Sequence, residues 1–573
     1  MSETKKCKQC GNSFVVEDDD LDFYKRISPT FDGKTFAISS PTLCPDCRQQ
    51  KRMVWRNEQF LYKRKCDLCS KNIISMYSPD KPLKIYCQDC WWSDKWDAKE
   101  YTVGYNGGSF FKQFKKLYNI VPKIGTSVTN SENCEFNSYV VDSKDCYMVI
   151  SSRAENCMYG RKMIDTSDTI DALFAIKCES CYEVVFSSNS NNCFFIQFCN
   201  NCSDSKFLYA CTSCHDCFMC SNLYNKSYYI QNQSYSKEEY KKKITELWNG
   251  SYKNLTKLKK KFAELVDNTV KRKDNIFVSD NCSGNDLIHC KNCKDCYELK
   301  YASDCKRMYD AMGIEINYSH DSDWSTGDYL YECVACFANY KSFFGLVNHR
   351  SRELIYSADC FNNSHNLFGC VGMKKSKYSI LNKEYSEKEY EKKVGQIIEE
   401  MQKLGEWGEM FPNELSPFGY NETVANIYFP KTKDEALEEG FSWHNDELIK
   451  KFDGQVYEPK DDIKEYIEDE SERQKLLAGI LKCEVTGRPY KIVSQELAFY
   501  MQHGIPIPRK HYEVRFQERF NMRNPRKLYH RQCMCKEKDH NHEGKCKVEF
   551  ETTYDPNRPE KVYCEKCYQQ SII

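Results

Sequence analysis

The sequence contains little glycine or proline, no net charge and no long apolar run. Only 24 glycines and 16 prolines occur among 573 residues, which argues against a low-complexity chain and predicts a folded one. The 83 basic residues equal the 83 acidic residues, so any attraction for nucleic acid or an anionic membrane must be local. Because neither a signal peptide nor a stretch of about 18 apolar residues is present, we expect a soluble, intracellular protein without membrane contact.

The sequence also lacks the short motifs of common catalytic sites. It has no nucleophile elbow, no P-loop, no HExxH motif and no glycine pattern for dinucleotides. No small-molecule substrate and no catalytic residue is therefore predicted. An enzyme acting on the surface of the repeat region described below is the weakest of the functional hypotheses.

Cysteine and aromatic residues are abundant instead. The chain has 35 cysteines, 40 tyrosines and 32 phenylalanines. In a small secreted protein so many cysteines would indicate disulfides, but this chain is large and rich in CxxC pairs. Reduced thiols and bound metal are therefore favoured.

Four CxxC pairs lie within the first ninety residues. A tetrahedral zinc ion takes four thiolates, and each CxxC turn presents two of them, so two turns complete one site. The predicted ligand sets are Cys7, Cys10, Cys44 and Cys47 for one ion, and Cys66, Cys69, Cys87 and Cys90 for another. Such closed sites leave no position for a substrate water, so the zinc is expected to be structural.

A degenerate copy of this segment occurs at the other end of the chain. LYKRKC at 61–66 matches LYHRQC at 528–533, and YSPDKPLKIYCQDC at 77–90 matches YDPNRPEKVYCEKC at 554–567. The copy retains the second site, with the predicted ligands Cys533, Cys546, Cys564 and Cys567, and with Cys535 as a rival to Cys533.

The first site has decayed in the copy. Cys483 persists, but Thr486, His511 and Val514 stand where three ligands would be, so packing must replace the metal there. The total is about three structural zinc ions. His540 and His542 lie in an insertion beside Cys535, where a Cys/His zinc site is the alternative to a solvated loop.

The first fifty residues resemble a known domain. CKQCG at 7–11, Phe23-Tyr24 and CPDCR at 44–48 are similar to the treble-clef-like "probable zinc-binding" domain of bacterial proteins. The whole chain, with its Trp91-Trp92 pair and repeated cysteine-tyrosine middle, resembles an uncharacterised cysteine-rich zinc-ribbon family of giant DNA viruses and small-genome bacteria. This resemblance implies zinc and no established activity. Some members carry a CaiB/BaiF CoA-transferase label, which no motif in this sequence supports.

Basic residues are concentrated between the zinc sites of both copies. The segments 48–65 and 515–531 are predicted to be basic amphipathic helices. Arginine forks suit bidentate phosphate contact, which makes nucleic acid a candidate partner. The candidate residues are Arg48, Arg52, Arg56, Arg64, Arg519, Arg523 and Arg531. The alternative is that these arginines pair with the module's own acids or with carbonyls at helix ends.

Short aromatic runs separated by polar turns fill the middle of the chain. Runs begin at Cys146, Cys157, Thr169, Cys181 and Cys193, so a new run starts at every eleventh or twelfth position. Strands of about six residues alternating with turns of about five are typical of a stacked β-solenoid, in which two such units would form one coil. Cysteines at equivalent positions would then stack as buried thiols.

The repeat region is itself duplicated with an offset of 150 residues. HDCFMC at 215–220 matches HNLFGC at 365–370, and a Ser-x-x-Glu capping box follows in each copy, at Ser236 and Ser386. These boxes predict helices at about 236–266 and 386–404 that cap the exposed end of each solenoid.

Two further motifs have alternative interpretations. Cys211, Cys214, Cys217 and Cys220 follow a CxxCxxCxxC pattern, which is interpreted as stacked structural thiols, with an iron–sulfur cluster or a further zinc site as alternatives. Trp91, Trp92 and Trp96 could form a platform for bases or could pack the small zinc core. A short amphipathic helix is also predicted at Phe110–Tyr118.

Together these patterns predict a mainly β protein, a duplicated β-solenoid flanked by two treble-clef or zinc-ribbon-like α+β modules. The predicted domains are a two-site zinc module (1–100), a helical linker (101–131), the first solenoid with its capping helix (132–270), the second (271–404), a connector (405–480) and a partly degenerate zinc module (481–573). The predicted function is a zinc-binding structural or interaction scaffold with a protein or nucleic-acid partner. The alternative is a nucleic-acid-binding zinc protein.

Overall fold

The computed structural model describes residues 2–307, 316–317, 319–321, 331–334, 344–346, 351–445, 454–540 and 542–572. The chain divides into two compact units. The first comprises Met1–Ser127 and Asp274–Asn445, and the second comprises Val128–Lys273 and Asp446–Ile573. Both are mainly β, with short helices and cysteine-rich modules.

The first unit begins with a small module of hairpins and short helices. Its strands are Glu3–Lys6, Ser13–Val16, Thr30–Phe31, Lys34–Thr35, Tyr62–Lys65, Asn72–Ser75, Ile85–Tyr86 and Lys123–Ile124. Its helices are Asp18–Ile27, Pro45–Met53, Gln88–Trp92 and Phe110–Ile120, with a 3-10 turn at Ala98–Glu100. The helix predicted at Phe110–Tyr118 is present and continues to Ile120.

The rest of the first unit is built from short strands, most of which pair in parallel, and a C-terminal group of helices. Its strands are Ile276–Phe277, Gly284–Ile288, Cys296–Lys300, Ala302–Ser303, Ile316–Asn317, Arg352–Ile355, His365–Phe368, Lys377–Ile380 and Lys383–Glu384. Its helices are Glu387–Leu404, Val424–Tyr428 and Lys433–Glu438, with 3-10 turns at Asn413–Leu415 and Tyr420–Glu422. Part of the predicted second solenoid, between 308 and 350, lies outside the described residues.

The second unit contains an 11-stranded sheet. Its strands are Ser127–Thr129, Tyr139–Val141, Ile150–Glu155, Arg161–Ser167, Ile170–Ile176, Tyr182–Ser188, Phe194–Gln197, Lys206–Tyr209, His215–Ser221, Ser227–Ile230 and Gln233–Ser234. They are ordered along the sheet as they are along the chain, and those from Tyr139 to Ile230 pair in parallel.

Helices and a second small module complete the second unit. Its helices are Lys237–Leu247, Tyr252–Asn268, Lys464–Glu468, Glu470–Ala478, Ser494–His503, Tyr512–Asn521 and Glu565–Ser571. Its remaining strands are Lys271–Arg272, Leu481–Lys482, Pro489–Tyr490, Tyr529–Gln532, Glu549–Thr552 and Val562–Tyr563.

The strand register corrects the predicted size of the repeat. Tyr182 pairs with Phe194, and Phe194 pairs with Lys206, so each run lies directly beside the next run of the sequence. Most of the isolated parallel bridges of the second unit have the same spacing, as between Glu179 and Asn191. The prediction that two such units make one coil is therefore wrong, because each run would then lie beside the next but one.

A change of backbone direction at every third residue explains how each short run can lie directly beside the next run. From Arg153 to Gln231, every third residue has a positive φ near 50°. Asn and Asp tolerate this left-handed conformation and occupy many of these positions, including Asn189, Asn192 and Asp204. Only two residues lie between one such position and the next, so the chain changes direction several times within each repeat.

From Ala154 to Leu223, the residue after each left-handed position is buried. In the second unit these buried positions carry small or aliphatic side chains, which form one continuous cluster. Its cysteines are Cys134, Cys146, Cys157, Cys178, Cys181, Cys193, Cys199, Cys202, Cys211, Cys214, Cys217 and Cys220. Every described cysteine of the chain is a free thiol. Cysteine suits these positions because it is small and is among the most readily buried residue types.

Both predicted capping boxes are present. The Ser236 side chain accepts a hydrogen bond from the Glu239 amide while the Glu239 carboxylate accepts one from the Ser236 amide, and Ser386 with Glu389 repeats the arrangement. The first helix is shorter than predicted, since it ends at Leu247 and a second helix begins at Tyr252.

The prediction of long basic helices is wrong in both modules. The helix Pro45–Met53 stops well before residue 65, and Tyr62–Lys65 is a strand. The Asn57 side chain holds the turn between them, because its Oδ1 accepts from the Phe60 amide at 2.9 Å and its Nδ2 donates to the Met76 carbonyl at 2.8 Å. In the second module the helix Tyr512–Asn521 and the strand Tyr529–Gln532 have the same order.

None of the helices in the described part of the chain combines the length and hydrophobicity needed to cross a bilayer.

Candidate metal centres

The first cluster of four cysteines joins a hairpin to a helix N-terminus. Cys7 and Cys10 lie on a tight turn in which the Gly11 amide donates to the Cys7 carbonyl at 3.0 Å. Cys44 immediately precedes the helix Pro45–Met53, and Cys47 lies in its first turn. The Sγ atoms of these four cysteines all lie within 4.8 Å of one another. A hydrogen bond from Cys47 lowers the pKa of Cys44 to about 5, so the thiolate form that metals bind is favoured there.

The second cluster repeats this construction. Cys66 and Cys69 lie on a turn after the strand Tyr62–Lys65, and Cys87 precedes the helix Gln88–Trp92, which carries Cys90. Their Sγ atoms also lie within 4.8 Å of one another. Although burial alone would raise the pKa of Cys66, backbone N–H groups directed at its sulfur hold that pKa at about 7.

The third cluster lies in the C-terminal module and contains Cys533, Cys546, Cys564 and Cys567. The Cys564 amide donates to Cys533 Sγ at 3.2 Å, as the Cys87 amide donates to Cys66 Sγ at 3.3 Å. Cys533 therefore occupies the position that corresponds to Cys66. Cys535, the predicted rival, lies in a different group.

The spacing of the sulfurs suits one tetrahedral ion in each cluster. With Zn–S bonds of about 2.3 Å, sulfurs at the corners of a tetrahedron are about 3.8 Å apart. The measured Sγ–Sγ distances are 3.7 Å for Cys10 and Cys44, 3.8 Å for Cys69 and Cys87, and 4.0 Å for Cys546 and Cys564. All three clusters are thus compatible with metal binding.

The degenerate site keeps its backbone turn without its ligands. The Cys483 amide donates to the Arg488 carbonyl at 2.9 Å, just as the Cys7 amide donates to the Asn12 carbonyl at 2.9 Å. His511, in place of a ligand, precedes the helix Tyr512–Asn521, and its ring accepts a hydrogen bond from the Glu513 amide. His511 thus caps this helix, and its ring packs against that of Tyr490 with centroids 6.1 Å apart.

A further group of possible ligands includes the insertion of the C-terminal module. Cys535, His540, His542 and Cys567 have ligand atoms within 4.8 Å of one another. Cys567 belongs both to this group and to the third cluster. Sequence reasoning offers the histidines only as an alternative to a solvated loop, because the spacing within an insertion does not reveal that it folds back onto Cys567.

A group of carboxylates near the N-terminus is occupied by a lysine. Glu17, Asp19 and Asp20 lie close enough to hold a cation. Lys306 Nζ lies 2.8 Å from Glu17 Oε2, 3.0 Å from Asp19 Oδ1 and 2.9 Å from Asp20 Oδ1. The ammonium group already supplies the positive charge that a metal would bring.

The candidate nucleic-acid-binding arginines are mostly buried. Arg48, Arg52, Arg56, Arg519 and Arg531 are all buried, and Arg64 and Arg523 are partly buried. Arg48 Nη1 lies 2.6 Å from Asp321 Oδ2 in the first unit. Because a phosphate cannot approach a guanidinium group that is enclosed by protein, the predicted role of the buried arginines in contacting nucleic acid is not supported.

The second unit repeats this buried ion pair. Arg515 Nε lies 3.0 Å from Asp171 Oδ2, and Arg519 Nη2 lies 2.9 Å from Asp171 Oδ1. Asp171 and Asp321 are separated by the same offset as the two copies of the repeat region. In each unit, therefore, an arginine on the helix of the cysteine-rich module forms a buried ion pair with the corresponding aspartate of the repeat region.

Two other candidate arginines donate to backbone carbonyls. Arg64 donates to the carbonyls of Ser78 and Leu83, at 3.4 and 3.3 Å. Arg531 donates to those of Asp555 and Glu560, both at 3.3 Å. These four carbonyls belong to the corresponding turns of the two modules, so the structural role that is the alternative at the sequence level accounts for both arginines.

The CxxCxxCxxC cysteines do not form one of the metal-binding groups found among the described residues. Each points its sulfur at backbone carbonyls instead; Cys217 Sγ, for example, lies 3.4 Å from the His215 carbonyl oxygen and 3.6 Å from that of Lys226. Because every third residue is buried, this motif places four thiols along one turn of the repeat.

The three tryptophans near the second cluster do not form a common exposed platform. Trp91 and Trp96 are buried, with ring centroids 5.5 Å apart, and Trp92 is 41% exposed. Trp91 also packs edge-on against Phe361 of the repeat region at 5.2 Å. Packing of the module therefore accounts for two of the three rings.

Comparisons with known proteins assign this chain to no family. The sequence matches no protein-family model, and no curated protein matches it. The resemblance to the zinc-ribbon family thus rests on its quoted motifs alone. One solved structure that matches is described as "putative acetyltransferase from Desulfovibrio desulfuricans G20", at 9% identity and a TM-score of 0.10, covering 44% of this chain. This chain covers 65% of that protein, slightly less than two thirds, and the likeness carries no argument.

Proposed function

We propose that this protein is a zinc-dependent structural or interaction scaffold. Its two terminal modules would hold three structural zinc ions, and its duplicated repeat region would form two short β-solenoids closed by capping helices. Four thiolates in a tetrahedral arrangement suit zinc, and a closed site of this kind stabilises a small fold without offering an open position for a substrate.

The buried Arg–Asp pairs favour a scaffold over a nucleic-acid-binding protein. In both units, arginines that resemble phosphate contacts in the sequence pair with an aspartate that is almost inaccessible to solvent. The positive charge of these arginines is neutralised by an aspartate of the same unit. What they provide is a fixed attachment of each zinc module to a repeat region.

The metal part of the proposal is tested by elemental analysis of the purified full chain. We expect at least three zinc ions per chain and no iron. A zinc-free folded protein would contradict the proposal, and iron in stoichiometric amount would restore the iron–sulfur alternative for the CxxCxxCxxC segment.

The nucleic-acid alternative is tested by fluorescence anisotropy with labelled RNA and DNA at low and physiological salt. The scaffold proposal predicts no binding at either salt concentration. The exposed residues Lys63, Lys65 and Lys527 are the cations best placed to contact phosphate in these segments. Binding that falls steeply with salt and weakens in Lys63→Glu/Lys65→Glu would favour the alternative, while a Lys237→Glu variant on an exposed helix start serves as the charge control.

A further inference from the structure

We propose that the C-terminal module binds a second zinc ion, held by Cys535, His540, His542 and Cys567, with the Cys567 thiolate bridging the two ions. This inference rests on the proposed zinc function. It raises the expected content from three ions to four per chain and makes the C-terminal module chemically different from its N-terminal counterpart.

The four side chains have the composition and geometry of a zinc site. Two thiolates and two imidazoles are a common tetrahedral ligand set for structural zinc. Cys535 is fully buried, and its Sγ lies 3.0 Å from His540 Nδ1. Bond lengths of about 2.3 Å for sulfur and 2.0 Å for nitrogen separate such atoms by about 3.5 Å, so the loop needs to open by about half an ångström.

His542 supplies an independent sign of a ligand. Its Nδ1 lies 2.9 Å from the carbonyl oxygen of Gly544, a geometry in which Nδ1–H donates and leaves a lone pair on Nε2. That Nε2 atom is buried and has no hydrogen-bond partner among the described residues. A metal-binding histidine commonly donates its second ring N–H to a backbone carbonyl in this way, which fixes the tautomer and the ring orientation.

The sequence of the insertion agrees with a local addition to an older site. In the N-terminal module, Cys66 and Cys69 are separated by two residues. In the C-terminal module, the equivalent Cys533 and Cys546 enclose a longer segment that carries all three additional ligands. The insertion returns to the knuckle through the hydrogen bond from the Cys546 amide to the Cys535 carbonyl at 3.0 Å.

A shared thiolate makes the two ions compatible in so small a space. Cys567 lies within ligand distance of both sets, so one sulfur can complete two tetrahedra. The second cation also offsets negative charge among the five clustered thiols Cys533, Cys535, Cys546, Cys564 and Cys567, where unpaired thiolates would be costly. The N-terminal module has no additional thiol or imidazole at the matching position and needs only one ion there.

Native mass spectrometry of the full chain tests the proposal. We expect four zinc ions in the unmodified protein and three in the double variant His540→Asn/His542→Asn. The control is His530→Asn, which changes an exposed histidine on the nearby strand Tyr529–Gln532 and should leave four ions. Cys535→Ser should also lose one ion, whereas Cys567→Ser should lose two, because its sulfur serves both.

The outcomes separate this inference from the proposed function. Three ions in the unmodified protein, with no loss in the double histidine variant, would overturn the fourth site and leave the zinc scaffold intact. A zinc-free protein would overturn both. If the variants fail to fold, zinc X-ray absorption on the unmodified chain decides: nitrogen neighbours at about 2.0 Å beside sulfur at about 2.3 Å support the site, and a purely sulfur shell overturns it.

Discussion

A single buried carboxylate lies between two arginines in the second unit. Asp171 contacts both Arg515 and Arg519, and all three side chains are almost fully enclosed. Taking these charges out of water is costly, and their mutual attraction, together with the contact of Arg515 with Glu496 at 3.4 Å, offsets the cost. These three charged groups therefore determine where the C-terminal module attaches to the repeat region. They contribute less to the overall stability of the second unit.

Asp171→Asn should destabilise the second unit by about 3–5 kcal/mol, because the buried Arg519 would lose the carboxylate it contacts and Arg515 would keep only Glu496, at 3.4 Å. Urea unfolding of the full chain measures the change.

Asp165→Asn is the matched control. Asp165 also has a left-handed backbone conformation, and it also pairs with an arginine, Arg153 at 2.5 Å, but this pair lies at the surface. It should cost less than about 1 kcal/mol. Equal effects of the two substitutions would refute the role given to the buried pair.

A buried lysine in the first unit should make stability depend on alkaline pH. Lys123 is 1% exposed, and its Nζ lies 3.8 Å from the centre of the Tyr118 ring. Burial lowers the pKa of Lys123 to about 8, although the nearby Asp359 opposes the shift. The unfolded chain, with a lysine pKa of about 10.4, binds more protons above pH 8, so the free energy of unfolding should rise between about pH 8 and pH 10.4.

The size of this rise should be about 3 kcal/mol, since one pKa unit corresponds to about 1.4 kcal/mol. Chemical unfolding at several pH values checks it, with Lys123→Met as the comparison. The methionine variant should be more stable at pH 7 and should lose the slope. A slope that persists in the variant would assign the pH dependence to other groups.

At this scale the sequence is informative about cysteines and misleading about arginines. CxxC spacing fixes two ligands on one turn, so the grouping of the knuckle cysteines follows from local geometry. Arg48 gives no such local signal, because its partner Asp321 lies far away in the chain. A basic pattern alone cannot distinguish a solvent-exposed cation from one paired with a distant buried carboxylate.

Within the strands and turns of the repeat, two of every three positions determine the backbone path and the packing. One position adopts a left-handed conformation, and the next is buried. The period of the aromatic runs is visible in the sequence, but the turn positions are also occupied by residues such as Phe174 and Lys177, which carry no turn preference. The period therefore predicts parallel stacking without revealing whether one run or two complete a coil.

The buried thiols of the repeat should tolerate a change that the knuckle thiols do not. Ser205 occupies the position one repeat before Cys217 and donates to the Ser203 carbonyl at 2.7 Å, which shows that a hydroxyl fits there. Cys217→Ser should cost about 1 kcal/mol and release no zinc. Cys87→Ser should release one zinc ion and unfold the N-terminal module locally.

Zinc content and thermal unfolding of the two variants provide the comparison. The substitution is the same in both, so a difference in zinc content reflects the site and not the chemistry of the change. Comparable zinc loss from Cys217→Ser would contradict the division between knuckle cysteines and repeat cysteines.

At the scale of the whole molecule, each compact unit joins segments that are far apart in the chain. The N-terminal module belongs with the second repeat region, and the C-terminal module with the first. The sequence indicates that both modules and both repeat regions are duplicated. It does not indicate this exchange, because matching copies carry the same contact residues and linear order suggests neighbours in the chain.

We propose that zinc holds the terminal modules together, whereas packing and hydrogen bonds hold the repeat regions together. Hydrogen exchange with and without a strong chelator tests it most directly. We expect chelation to expose the amides of Cys66 and Cys533, which lie in the knuckles, and to leave those of Tyr182 and Phe194 protected by their hydrogen bonds to the next strand. Unchanged protection of the module amides, or an equal loss of protection in the repeat, would show that zinc does not hold the modules together.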